Sequence, residues 1–125
     1  MLRVEPEIVQ KYVAAGQVQL ILWHVLDHGQ SAQAHQAAEC AGQQSPIAFW
    51  QMHDTLFERQ GELWNLENAT LVAFAGELGL DTASFESCLS DQSVIDKIAR
   101  MDQERRAAGI RLRPSFDVNG QIIQG

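Results

Sequence analysis

One apolar run, Val18 to Leu26, stands alone in this sequence. It is rich in β-branched and aromatic residues, and its nearly continuous apolar character predicts a strand covered on both faces. No second strand signal appears until Pro114 to Val118. There Asn119-Gly120 marks a two-residue hairpin, and Gln121 to Ile123 begins the partner strand. Between these points the pattern is helical. The predicted order is helix, strand, helical block, helix, hairpin, an α/β fold with a helical insertion.

The helices can be placed by their apolar spacing and their punctuation. Val4 to Ala15 reads as a helix carrying Val4, Ile8, Val9, Tyr12 and Val13, with Pro6 near its start and Gly16 at its end. Ser31 to Gly42 is Ala- and Gln-rich. Ser45 is an N-cap with Pro46 at the first helical position. Further helices start near Asn68, at Asp81 and near Gln92, and Gly61, Gly79 and Gly109 stand at helix ends. Phe49, Trp50, Phe57, Trp64 and Phe74 read as the core of this helical block, and His53 as a side chain at the edge of that stripe.

Hydrophobic residues make up 46% of the chain, enough for one core, and the 125 residues suit one domain. No apolar run reaches the length of a membrane span. The net charge of −7 argues against a nucleic-acid partner. A helix-turn-helix pattern exists in Leu71 to Leu89, but that stretch lacks basic residues. The basic cluster Arg100, Arg105, Arg106, Arg111 and Arg113 is interrupted by Asp102 and Glu104 and reads as a solvated face.

Cys40 and Cys88 form no C-x-x-C, and three readings stand open for them: a redox pair, a structural disulfide, or two buried free thiols. Both lie in apolar helical settings, away from helix starts, which argues against reactivity. His35 and Glu39 share a helical face, but two ligands do not make a zinc site, so no metal is expected.

Several stretches resemble the DsbA-like thioredoxin-fold oxidoreductases. Val4-Glu5-Pro6-Glu7-Ile8-Val9 is similar to the helix that follows the family's catalytic cysteines. Ala37 to Ala41, Phe49 to Phe57, Glu77 to Asp81 and Phe85 to Leu89 resemble its inserted helical subdomain. Gly109 to Gly120 resembles the loop and hairpin that carry its cis-proline.

The resemblance implies an incomplete thioredoxin-like α/β fold over residues 1–125, with the helical insertion at about 30–90. It implies a protein disulfide oxidoreductase body without its N-terminal strand and C-x-x-C, inactive alone, in a fragment, a mis-started gene model or a reduced paralogue. Arg113, Pro114 and Ser115 would be substrate contacts, with Leu112-Arg113 replacing the small or β-branched residue usual before the proline. Cys40 and Cys88 would form a structural disulfide, and no cofactor is needed. The partners would be extended polypeptides with cysteines, in an extracytoplasmic setting. A missing central strand would leave two open edges, compensated by a homodimer, by strand exchange, or by direct pairing of the flanking strands.

Overall fold

A computed structural model describes residues 3–125. Helix α1 (Val4–Ile8) runs into a π-helical turn (Val9–Val13). The helical body follows: α2 (Ser31–Gln44), α3 (Pro46–Glu58), a 3-10 turn (Gln60–Leu63), α4 (Asn68–Glu77), α5 (Thr82–Cys88) and α6 (Gln92–Ala107). Strands β1 (Ser115–Val118) and β2 (Gln121–Gln124) close the chain. None of the described helices is long and apolar enough to cross a membrane.

Local chemistry sets the helix starts. The Ser45 hydroxyl accepts from the Ala48 amide at 3.1 Å, and Pro46 follows at the first helical position. Asp81 caps α5 through the Ser84 amide at 2.9 Å, and Asp91 caps α6 through that of Ser93 at 2.8 Å. The α2–α3 pair is tight because the facing positions are small. Ala37, Ala38 and Ala41 are buried, and a Cβ placed on Gly42 would meet the Phe49 side chain at 3.2 Å.

The core lies inside this helical body. Met52, Leu71, Phe74, Phe85 and Ile98 are at most 2% exposed, each contributing about 1.5–3 kcal/mol by burial. Cys40 of α2 and Cys88 of α5 are bonded within it. The stripe expected to form the core contributes less of it than its pattern suggested. Phe74 is buried, whereas Phe49 and Trp50 are half-buried, Phe57 is 37% exposed and Trp64 is 80% exposed. Trp64 follows the 3-10 turn, which swings it off the α3 face.

The sheet is the other departure. Val18 to Leu26 runs extended but is not a strand: among the described residues no backbone–backbone hydrogen bond reaches 18–25. β1 and β2 pair only with each other, antiparallel, Ser115 opposite Gln124 and Val118 opposite Gln121. Asn119 and Gly120 turn between them with φ of 54° and 89°, the left-handed pair a tight hairpin needs. Both faces of the hairpin are bare, with Phe116, Val118, Ile122 and Ile123 all exposed. Direct pairing between the early run and the hairpin does not occur among the described residues.

The disulfide closes 48 residues of sequence. In the chain-entropy picture such a loop is worth about 4 kcal/mol. The double variant C40S/C88S is therefore expected to unfold at a lower urea midpoint, losing about 2–4 kcal/mol. Reductant added to the wild-type protein should reproduce the loss.

Candidate functional site: the proline turn and the segment beside it

The loop after α6 is tied to the hairpin by Gln124. Its side-chain oxygen accepts from the amides of Arg111 and Leu112 at 2.9 and 3.2 Å. The Arg113–Pro114 peptide is cis, and the Pro114 carbonyl accepts from the Gly125 amide at 2.9 Å. Ser115 turns its hydroxyl inward to the Leu112 carbonyl at 2.5 Å. Arg113 is exposed and forms an ion pair with Asp27. Of the three residues expected to meet substrate, Pro114 is open to solvent, while Ser115 and Arg113 already have partners.

Asp27 ends the extended segment, and side chains hold this segment where a sheet would have done so. The Trp23 indole donates to the Met101 carbonyl at 2.8 Å. The Leu26 amide donates to Asp102 at 2.8 Å, and its carbonyl accepts from Arg106 at 3.0 Å. Asp102 is buried and also receives Arg105 at 2.8 Å and Arg106 at 2.7 Å. Burial opposes its ionisation, but Arg106, the Leu26 amide and Arg105 outweigh that and hold its carboxyl below the usual carboxylate range. The arginine cluster is thus no simple solvated face. Arg105 is 6% exposed and bridges Asp102 to the Ile110 carbonyl, because the loop folds back over the end of α6.

His24 is fully buried beside this lock. Its Nε2 lies 2.7 Å from Glu39, and its Nδ1 lies 2.9 Å from His35 Nδ1. His35 Nε2 faces the Val25 carbonyl at 3.1 Å, and Lys97 of α6 donates to the second oxygen of Glu39 at 2.6 Å. Glu39 is held down at about 2 by its bond to His24, which together with Lys97 outweighs burial. Burial first, and then the charge of His24, lower His35 to about 4. The helical spacing of His35 and Glu39 was visible in the sequence. The arrival of His24 between them was not, because its stretch reads as a strand.

One group of possible metal ligands occurs among the described residues: Glu5, His53 and Asp54. His53 Nδ1 lies 3.0 Å from Asp54 and 4.0 Å from Glu5. A histidine that binds metal through one nitrogen normally donates its other N–H to an acceptor. His53 Nε2 is buried without a partner, between the rings of Trp50 and Phe57. The donor set therefore fits a packed histidine paired with Asp54 better than a metal ligand.

Comparison with known proteins gives this architecture a family. A family model described as Thioredoxin matches residues 2–125, and the chain belongs to that family. Over 98 residues it is 37% identical to the Na(+)/H(+) antiporter NhaA 1 of Salinispora arenicola (strain CNS-205), covering 78% of this chain and 14% of the antiporter. Over 105 residues it is 32% identical to the Na(+)/H(+) antiporter NhaA of Herminiimonas arsenicoxydans, covering 84% of this chain and 16% of that protein. The chain thus spans only a small part of the length of these curated relatives. No solved structure matches it.

The lowered His35 value carries a sign. An unfolded histidine takes up a proton near 6.5 and the folded one near 4, so the unfolded state binds more protons between them. His35 stabilises the fold fully above about pH 6.5 and loses that contribution as pH falls to about 4. Unfolding free energies from urea titrations across this window should fall by up to about 3 kcal/mol. The substitution H35Q should flatten that slope.

Proposed function

We propose that this chain is the body of a DsbA-like thiol–disulfide oxidoreductase whose working thiols are not among these 125 residues. The observation that carries the reading is family membership over residues 2–125, with the proline turn falling at the head of an open hairpin. An extended polypeptide containing cysteine is the substrate. It lies along the unpaired edge of the hairpin that follows Pro114, as strand-adding peptides do, with Arg113 and Ser115 flanking it. Binding would take Arg113 from Asp27, so peptides with an acidic residue at that point are favoured.

A second reading has its own support. Cys40 and Cys88 are bonded to each other and buried, so the described residues offer no free thiolate. A non-catalytic thioredoxin-fold module that holds extended peptides would have this inventory. The antiporter relatives carry the matching segment as a small part of a long chain, which supports a domain that serves a larger partner.

A disulfide-reduction assay with dithiothreitol separates the two. The chain alone should show no turnover above the uncatalysed rate. Addition of a strand–C-x-x-C segment, fused ahead of Val4, should restore it under the first reading and leave it absent under the second. Turnover by the chain alone that disappears in C40S would overturn both.

The open edges lead to a proposal about assembly. Ile21, Trp23, Leu112 and Phe116 are exposed, and residues 18–25 have backbone groups with no backbone partner. Association through these edges, as a homodimer or by strand exchange, covers both. Sedimentation at micromolar concentration should show a dimer or larger species, and I21K should shift it toward monomer. A monomer at all concentrations contradicts the proposal.

A further inference from the structure

Few hydrogen arrangements can satisfy the contacts between His24, His35 and Glu39. The Val25 carbonyl can only accept, so His35 Nε2, 3.1 Å away, must carry a hydrogen. The Glu39 carboxylate also only accepts. Lys97 sits 2.6 Å from its second oxygen and keeps it ionised, so His24 Nε2 at 2.7 Å must carry another hydrogen. The two Nδ1 atoms stand 2.9 Å apart, at hydrogen-bond distance, and one of them must supply a third. Two neutral imidazoles hold only two ring hydrogens between them. We infer that the His24–His35 pair holds three, with one net positive charge, and acts as a proton-dependent latch that fastens residues 23–27 to α2 and α6.

The third hydrogen belongs on His24. His24 Nε2 faces a carboxylate, whereas His35 Nε2 faces only a neutral carbonyl. The groups around the pair fit one buried cation. Glu39 comes from α2, and Asp102 and Lys97 come from α6. The Phe49 ring of α3 packs edge-on, 6.2 Å from the His24 ring. On the segment itself Asp27 is taken by Arg113, and the His28 side chain is 78% exposed. Glu39 thus compensates His24, while Lys97, bonded to its other oxygen, is half exposed to water.

Two changes open the latch. Loss of the third hydrogen leaves two lone pairs facing each other at 2.9 Å, and this repulsion weakens the hold of α2 on the segment, which the two Nε2 bonds alone then keep. Gain of a fourth places two like charges at that distance. The fastened segment carries exposed Ile21 and Trp23 on the unpaired edge, and its Asp27 holds Arg113 beside the proline turn. Proton loss therefore loosens the segment that bears on both the edge and the turn. The inference rests on these contacts alone and does not depend on the thiol reading.

Protein labelled with ¹⁵N at histidine tests it directly. Two-bond nitrogen–proton spectra at pH 7 should show three protonated nitrogens among the four of His24 and His35, with H24Q and H35Q giving the assignments. A count of two or four overturns the inference. Amide exchange supplies a second readout. After correction for intrinsic base catalysis, Val25 to Asp27 should exchange about tenfold faster once alkaline pH removes the third hydrogen. H24Q should be loose at every pH. Protection unchanged across that transition rejects the latch even if the hydrogen count holds.

Discussion

Residues 23–27 lie outside any sheet, and the side chains of α2 and α6 hold them instead. A buried carboxylate, Asp102, takes the Leu26 amide that a neighbouring strand would have taken. Arg106 takes the Leu26 carbonyl, and His35 takes that of Val25. The bonds to Asp102 and Arg106 are charge-assisted and stronger than the neutral ladder bonds they replace, and the His35 bond is neutral. Each charged group also needs its own compensation, since an unpaired charge in this interior is costly. That need explains why Arg105 and Arg106 converge on one carboxylate and why Lys97 and His24 share another. The path of the chain toward the proline turn depends on these two carboxylates being ionised.

Stability is unevenly distributed as a result. The helical body holds the buried apolar residues and the disulfide. The hairpin has its own ladder, the Gln124 tie and little else, and an isolated two-stranded hairpin is marginal in water. Local opening therefore concentrates at the hairpin that follows Pro114 and along 18–22. Elements drawn from the least stable part of a fold cost little to rearrange.

Local signals were legible in the sequence where one residue decides one backbone event. Ser45-Pro46, Asp81 and Asn119-Gly120 carry their geometry in their own chemistry, and the elements begin or turn where those residues stand. The resemblance led to the family because it drew on many such signals in order. What was not legible depends on partners distant in sequence. Val18 to Leu26 has a strand's composition, yet strand formation needs a neighbour, and no described segment lies alongside to pair with it. Arg105 looked solvated until the Ile110 loop folded over it. Trp64 counted as core by period, although the turn before it breaks that period. His24 falls within the stretch read as a strand, and its role exists only once α2 brings His35 and Glu39 to the same point.

The placement of the cysteines bears on where thiol chemistry could arise. A reactive thiolate is favoured at a helix N-terminus, where the unsatisfied amides and the macrodipole stabilise the anion. Cys40 lies inside α2, with neighbouring backbone groups already bonded along the helix, and is 1% exposed. Cys88 is the last residue of α5, at the end where the dipole disfavours an anion, and its carbonyl accepts from the amide of Asp91, itself an acid. Both environments raise the cost of a thiolate, so the bond between these sulfurs braces the subdomain and is poorly suited to exchange. The half of a thioredoxin-type site that attacks a disulfide therefore has no physical basis in either of these cysteines.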